Sequence, residues 1–168
     1  RHHQAAMRQP CRSCGEHPDG SHSLSTVFAH STRRVASSNG VSVVVYDEAS
    51  SSATSHHGAR TSPGEPQLPA LLFSHATGFH GRVFGPIAAH LPEFDRTTFD
   101  YRGYGDTAAP SDWTLAWEGF GDDALAVARA VTIAAGRPAI GVGHSMGGAG
   151  LIMAALREPS LFAALVVF

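Results

Sequence analysis

The feature that most constrains this chain is a five-residue stretch centred on a serine, Gly143-His144-Ser145-Met146-Gly147, which has a glycine two positions away on each side. A short apolar run precedes it, and a segment with helical spacing follows it. A sharp turn from strand to helix strains the middle residue, and glycines at these positions keep side chains from colliding with the neighbouring elements. The pattern predicts that the Ser145 hydroxyl stands above a buried sheet as a candidate nucleophile.

Strand and helix patterns alternate in the second part of the chain. Four short apolar runs are typical of buried strands: residues 70–74, 97–99, 139–143 and 161–168. Helical spacing is found between them, first in a short segment with Val83, Ile87 and Leu91, then in a longer one with Phe120, Ala124, Val127 and Val131, and finally in residues 146–157. This order predicts an α/β fold with an open, mostly parallel sheet and helices on both faces.

The first part of the chain predicts a hairpin and two segments without a core. Residues 33–38 and 41–47 are extended candidates, and Asn39-Gly40 between them favours a type I′ turn. Residues 49–69 are rich in Ser, Thr, His, Gly and Pro, which predicts a low-complexity surface loop. We interpret residues 1–29 as a disordered leader and residues 30–168 as a single, C-terminally incomplete domain.

Composition excludes several classes of partner. The 168 residues are 43% hydrophobic and 15% charged with a formal net charge of -2, and the arginines are scattered, so nothing indicates nucleic-acid binding. No run approaches the roughly 20 apolar residues that span a bilayer. We therefore expect a soluble protein, cytoplasmic by default, whose partner is a small molecule, and we leave its oligomeric state open.

The two cysteines, Cys11 and Cys14, form a C-x-x-C in the predicted leader. A thioredoxin-like site needs a preceding strand and a following helix, which this Gly-, Pro-, Ser- and His-rich stretch lacks. A zinc site needs four ligands, and only His17 and His22 lie near enough to complete it. We interpret the cysteines as incidental thiols and predict neither a metal nor a cofactor.

A serine nucleophile also needs an oxyanion hole, which is built from the backbone N–H after the serine and a second N–H from a loop after an earlier strand. Met146 supplies the first donor. Residues 75–81, the glycine-bearing loop after the strand predicted at 70–74, are expected to supply the second.

Three stretches make the chain similar to the α/β-hydrolase superfamily. They are His75-Ala76-Thr77-Gly78-Phe79, Asp100-Tyr101-Arg102-Gly103-Tyr104-Gly105-Asp106 and Gly143-His144-Ser145-Met146-Gly147-Gly148, and the resemblance extends over about residues 33–168. The commonest members have His-Gly-x in the first stretch, so the resemblance implies Thr77 as the second oxyanion donor. Because Ala76 departs from that pattern, Gly78 and Phe79 remain alternatives.

The resemblance also implies which residues are not catalytic. Asp100 and Arg102 match a mainly structural turn, because the superfamily places its catalytic acid after the nucleophile and its histidine after the acid. We interpret His144 as a packing residue, and His75 and His80 as loop residues that form hydrogen bonds. Trp113 and Trp117 are given no role beyond packing or the edge of a pocket.

The partners of a Ser-His-acid triad are missing after Ser145, where the chain has one acidic residue, Glu158, and no histidine. The resemblance therefore implies a serine hydrolase for an ester, lactone or similar acyl substrate, inactive or weakly active as this chain alone. The alternatives are a cofactor-free haloperoxidase or acyltransferase of the same fold, or a non-catalytic binding protein. Epoxide hydrolases and haloalkane dehalogenases fit less well, because they have aspartate at the position of Ser145.

Overall fold

The computed structural model describes residues 31–48 and 68–168. The predicted leader at residues 1–29, with Cys11 and Cys14, and residues 49–67 of the predicted surface loop lie outside the described residues. In chain order, the elements are β1 (Ser31–Ala36), β2 (Ser42–Glu48), β3 (Leu71–Ser74), α1 (Gly85–Ala88), β4 (Arg96–Phe99), α2 (Trp117–Ala135), β5 (Ala139–Gly143), α3 (Met146–Arg157) and β6 (Phe162–Val167). Short 3₁₀ turns occupy Gly81–Phe84 and Pro159–Leu161, and a tight turn occupies Ser38–Gly40.

The described strands form one sheet in the order β1-β2-β4-β3-β5-β6. β2 pairs antiparallel with β1 and β4, whereas the pairs β3-β4, β3-β5 and β5-β6 are parallel. This confirms the predicted mostly parallel sheet with an antiparallel hairpin at its N-terminal end. Ser74 pairs with Phe99 on one side and with Gly143 on the other, so β3, β4 and β5 end side by side at one edge.

The hairpin turn has the backbone that its sequence favours. Asn39 and Gly40 both have positive φ, 56° and 71°, and the N–H of Val41 donates to the carbonyl of Ser38 at 3.2 Å. Positive φ at both central positions is the requirement of a type I′ turn, whose twist matches that of the strands. The first strand ends at Ala36, two residues earlier than expected, because Ser37 already belongs to the connection and donates its N–H to Val41.

Helices cover both faces of the sheet, as predicted. Neighbouring residues of a strand point to opposite faces, and the larger core, against α2 and α3, includes Leu72, Phe99, Ala124, Val127 and Leu151. The smaller core lies on the other face, against α1, and consists of Leu71, Phe73, Phe84 and Ala88. None of the described helices is long and apolar enough to cross a membrane.

The segment around α1 differs from its sequence pattern. The spacing of Val83, Ile87 and Leu91 is helical, but Val83 and Ile87 are exposed, and the buried side chains are Phe84 and Ala88. A 3₁₀ turn over Gly81–Phe84 precedes the α-helical turn, and the change of helix type rotates the buried positions by one residue.

A fully buried ion pair fastens the turn after β4 to α2. The guanidinium of Arg102 donates from Nε and Nη2 to the two carboxylate oxygens of Asp123, at 3.0 and 2.7 Å, and its backbone N–H also donates to Asp123 at 3.0 Å. The same Nη2 reaches the hydroxyls of Ser37 and Ser38 at 3.2 and 3.0 Å. The pair therefore joins three parts of the fold: the turn, α2 and the hairpin.

We predict that Asp123→Asn lowers the free energy of unfolding by about 3–5 kcal/mol, because the substitution leaves the Arg102 guanidinium buried without a counter-charge. Urea denaturation measures the loss. The control is Glu158→Gln, which breaks the exposed Arg129–Glu158 pair and is expected to leave the midpoint nearly unchanged. Equal, small effects of the two substitutions would contradict this account of the buried pair.

Candidate active site

Ser145 lies in the turn between β5 and α3, where the sequence pattern predicts it. Its backbone has φ 50° and ψ -116°, and the residue is exposed. A positive φ is strained in a residue with a Cβ atom, and such strain persists only where the surrounding structure holds it. The serine hydroxyl is thus presented to solvent at the edge where β3, β4 and β5 end.

The two glycines of the motif are required by close backbone approach. A Cβ atom at Gly143 would lie 2.5 Å from the Cα of Gly148, and one at Gly147 would lie 2.1 Å from the carbonyl oxygen of Ser74. Both distances are far shorter than a carbon atom allows. The first turn of α3 can therefore press against β5 and β3 only because neither position carries a side chain.

Backbone hydrogen bonds fix most of this turn but do not involve the N–H that follows Ser145. The N–H of Ser145 donates to the carbonyl of Phe168 at 2.8 Å, and the N–H of His144 donates to that of Ser74 at 3.0 Å. The N–H of Met146 has no acceptor among the described residues. As the first residue of α3, Met146 exposes one of the N–H groups that a helix leaves unsatisfied at its start.

The loop at residues 75–81 starts beside this turn, because β3 and β5 are adjacent and Ser74 pairs with Gly143. The ring of Phe79 lies 6.4 Å from that of His144, centroid to centroid. Of the three candidate donors, Phe79 already uses its N–H for the carbonyl of Ala76, at 3.2 Å. Thr77 and Gly78 are exposed, and in the described ranges their N–H groups have no acceptor.

His75 is buried and holds the start of this loop in place. Its Nε2 accepts the N–H of Tyr101 at 3.1 Å, so the ring proton is on Nδ1, which donates to the carbonyl of Ala76 at 2.8 Å. The rings of Tyr101 and Tyr104 meet it edge-on at 5.2 and 5.3 Å. Burial lowers the pKa of His75 below its ordinary value. The residue is therefore a neutral hydrogen-bonding link, as the sequence interpretation expects.

Asp100 connects three segments and is completely buried. One carboxylate oxygen accepts the N–H of Gly81 at 2.7 Å, and the other accepts the hydroxyl of Tyr46 at 2.7 Å and the N–H of Asp106 at 2.8 Å. Burial, followed by the hydrogen bond with Asp100, raises the pKa of the Tyr46 phenol. With its oxygens engaged in this way, Asp100 holds the ends of neighbouring loops together, which agrees with a structural role.

His144 packs beside the turn on its apolar side. Its ring stacks on that of Phe168 with the centroids 5.1 Å apart and the planes 10° apart. Both rings line an apolar cleft of about 190 Å³, whose other walls are Ala76, Phe79, Val83, Phe84 and Ile87. No group of three or more His, Cys, Asp or Glu side chains in residues 31–48 and 68–168 could hold a metal ion.

Comparison with known proteins identifies the family. The family model described as the alpha/beta hydrolase family matches residues 71–168, which is more than half of the chain. The chain belongs to the α/β hydrolase family. The strained serine, the glycines around it and the adjacent loop after β3 are therefore parts of an α/β hydrolase.

Individual relatives of this α/β hydrolase include a lipase. The chain is 33% identical over 103 residues to the lipase LipV of Mycobacterium tuberculosis, an alignment that covers 61% of this chain and 38% of the lipase. A hydrolase from Novosphingobium aromaticivorans superposes with a TM-score of 0.64 at 20% identity, covering 83% of this chain and 44% of that one. An esterase from a Rhodococcus species gives a TM-score of 0.64 at 21% identity, with 82% and 45% covered. The chain thus spans less than half the length of these relatives.

Sequence reasoning missed two residues of this α/β hydrolase family member that contact the turn from inside the fold. Ser74 and Tyr101 are fully buried, and their hydroxyls lie 2.7 Å apart. Ser74 also donates to the carbonyl of Gly147 at 3.0 Å. The signals in the sequence were weak: Ser74 is a polar residue at the end of an otherwise apolar run, and Tyr101 lies in the turn interpreted as mainly structural.

We predict that Gly147→Ala unfolds or strongly destabilises the protein, by about 1–3 kcal/mol or more, because the added methyl overlaps the Ser74 carbonyl. Thermal or urea denaturation measures the change. Gly85→Ala is the matched control, since a Cβ there meets nothing within 4 Å. Comparable stability of the two alanine variants would show that α3 can move away from β3 at little cost.

A second prediction concerns pH. His75 binds a proton less readily in the folded chain than in the unfolded chain, whose histidine has the ordinary value of 6.5, so acidification favours unfolding. The stability contributed by neutral His75 is complete above about pH 6.5 and is lost as the pH falls below it. Unfolding free energies measured between about pH 7.5 and pH 5.5 should therefore decrease toward acid.

The histidine responsible can be identified with two variants. His75→Gln removes the titrating ring and should flatten the pH dependence, whereas His90→Gln removes an exposed histidine and should leave the slope unchanged. A parent protein whose stability is constant or rises toward acid in this range would refute the prediction.

Proposed function

We propose that this chain carries the nucleophile and the oxyanion hole of a serine hydrolase that acts on an ester, a lactone or a similar acyl substrate. The observation that carries the proposal is the turn itself. Ser145 is exposed in a strained conformation, and the next N–H, that of Met146, is free at the start of α3. This is the arrangement that nucleophilic attack on a carbonyl carbon requires.

In the proposed reaction, the Ser145 hydroxyl oxygen attacks the carbonyl carbon of the substrate and loses its proton to a base. The carbonyl oxygen becomes an oxyanion, which accepts hydrogen bonds from the N–H groups of Met146 and Thr77. Gly78 is the alternative second donor, and Phe79 ranks behind both because its N–H is already bonded to Ala76. Each such donor stabilises the transition state by about 3–4 kcal/mol. The positive end of the α3 helix dipole also lies at this N-terminus and favours the negative charge of the oxyanion.

The base and the acid of the reaction are proposed to come from residues beyond Phe168 in a longer protein. This agrees with a chain that spans less than half the length of its relatives. His75 is unsuited to the role of base, since both of its ring nitrogens are bonded within the fold. Glu158, the acidic residue that follows Ser145 in the chain, lies at the end of α3 away from the serine and pairs with Arg129 of α2. A histidine that accepts the serine proton also returns it to the leaving group, and water then hydrolyses the acyl-enzyme.

The proposal predicts weak turnover of a short-chain aryl ester by the 168-residue chain and full, Ser145-dependent turnover by a version extended beyond Phe168. The oxyanion hole and substrate binding alone still give roughly 10³- to 10⁴-fold acceleration over water when triad members are missing, so the expected activity of the chain is low but measurable. Ester hydrolysis is measured together with covalent labelling by a serine-directed phosphonate.

Two substitutions complete this experiment. Ser145→Ala should abolish the labelling and reduce the turnover of the extended version to the weak level of the short chain, and Ser160→Ala, at an exposed serine after α3, should leave both signals intact. Full turnover by the short chain would reveal a base within it, against the proposed origin of the histidine. An extended protein without Ser145-dependent turnover would reject the hydrolase and favour a non-catalytic binding protein.

A further inference from the structure

Two buried hydroxyl groups lie beneath the turn that carries Ser145. Ser74 is the last residue of β3, Tyr101 follows β4, and neither side chain reaches solvent. The Tyr101 hydroxyl lies 2.7 Å from that of Ser74, and the Ser74 hydroxyl lies 3.0 Å from the carbonyl oxygen of Gly147. We call this chain of two hydrogen bonds the hydroxyl relay. It connects β3 and the turn after β4 with the first turn of α3.

The chemistry of the groups fixes the direction of both bonds. Each hydroxyl has one proton to donate, and a carbonyl oxygen can only accept. Ser74 therefore donates to Gly147, and its oxygen accepts the proton of Tyr101. In this arrangement both buried hydroxyl protons have an acceptor, which is the condition under which a buried polar network stabilises one conformation.

Each member of the hydroxyl relay is held by further contacts. The carbonyl of Ser74 accepts the N–H of His144 at 3.0 Å, so this residue holds the turn with its backbone as well as its side chain. The Tyr101 ring meets that of Phe120 edge-on at 5.5 Å. A Cβ atom at Gly150 would lie 2.2 Å from the Tyr101 hydroxyl, which shows how closely α3 covers it. The relay therefore has little room to rearrange.

We propose that Ser74 and Tyr101 are positioning residues, which hold the first turn of α3 so that Ser145 keeps the backbone conformation that presents its hydroxyl. A strained residue stays strained only where its surroundings deny it a relaxed alternative. The hydroxyl relay acts on the buried side of the turn, two residues after the serine. The inference rests on the proposed role of Ser145 as nucleophile, because positioning affects a rate only if that hydroxyl reacts.

The test compares Ser74→Ala, Tyr101→Phe and the double variant with the parent chain. Three quantities are measured: the rate at which a fluorophosphonate labels Ser145, amide hydrogen exchange at residues 147–151, and the urea midpoint. Thr107→Val is the matched control. It removes another buried hydroxyl, one that accepts the N–H of Val44 at 2.8 Å, on the far side of β4 from β3.

Ser74→Ala is expected to slow labelling by about tenfold or more, since small displacements of a reacting group cost large factors in rate. Exchange at residues 147–151 should become faster by a similar factor, relative to exchange in α2. Tyr101→Phe should have a smaller effect on both, because Ser74 can still donate to Gly147. Thr107→Val is expected to alter the urea midpoint without altering the labelling rate or the local exchange.

The double variant separates positioning from stability. Ser74→Ala leaves the buried Tyr101 hydroxyl without an acceptor, which lowers the urea midpoint. The additional Tyr101→Phe removes that hydroxyl, so the midpoint of the double variant should partly recover. If the relay positions Ser145, labelling stays slow and local exchange stays fast in the double variant despite this recovery. Recovery of all three quantities together would overturn the proposal, because the relay would then act only through global stability.

Failure of the proposed function gives a different result. A version extended beyond Phe168 that is labelled no faster than its Ser145→Ala variant would count against the nucleophile, and hydrogen exchange would then decide the positioning proposal alone. Faster exchange confined to residues 147–151 supports it, and exchange that changes equally in α2 overturns it. If Ser74→Ala does not fold, the double variant serves the same comparison, because it leaves no buried hydroxyl without an acceptor.

Discussion

The short distance between α3 and the ends of β3 and β5 is the constraint on which the rest of the candidate site depends. Because only a hydrogen atom fits between the Cα of Gly147 and the carbonyl of Ser74, the chain has to pass from strand to helix within two residues, His144 and Ser145. The positive φ of Ser145 follows from the sharpness of this passage. The free N–H of Met146 has the same origin, since the helix begins immediately after the serine. The proposed nucleophile and the proposed donor are thus two results of one packing arrangement.

The segment after β4 sets the positions of the elements around this arrangement. Three consecutive residues, each with no exposed surface, bond to different parts of the fold. Asp100 bonds to β2 and to the loop after β3, Tyr101 to β3, and Arg102 to α2 and the hairpin turn. Polar groups at this depth are favourable only when their partners are correctly placed. Apolar contacts alone would allow several relative placements of sheet, loop and helix. The segment therefore favours the one placement in which these polar groups find their partners.

Features that depend on neighbours in the sequence could be predicted. Asn39-Gly40 has the residues that a type I′ turn needs, and the glycines around Ser145 lie where a sharp strand-to-helix turn needs them. The order of strands and helices then followed from apolar spacing. The exception was the segment around α1, where a 3₁₀ turn shifts the buried side to Phe84 and Ala88. Spacing alone could not indicate that shift, because a single helical turn is compatible with either helix type.

Contacts between distant residues could not be predicted. Arg102 and Asp123 are 21 residues apart, and Ser74 and Tyr101 are 27 apart. Asp123 resembles an ordinary surface residue of an amphipathic helix until the sheet register places Arg102 against it. For the second donor, the resemblance implied Thr77 and left Gly78 and Phe79 as alternatives. Only the bond from Phe79 to Ala76 distinguishes one of them from the other two.

The two sides of the proposed oxyanion hole differ in how much sequence change they tolerate. On the α3 side, a side chain at Gly143 or Gly147 would overlap backbone atoms, so these positions do not tolerate substitution. On the loop side, Thr77 and Phe79 are exposed, and a Cβ at Gly78 meets nothing within 4 Å, although its φ of 81° favours glycine. New side chains can therefore appear at Thr77 and Phe79 without disturbing the serine. Divergence toward new substrates within the described residues is expected to proceed through this loop, while the helix side stays constant.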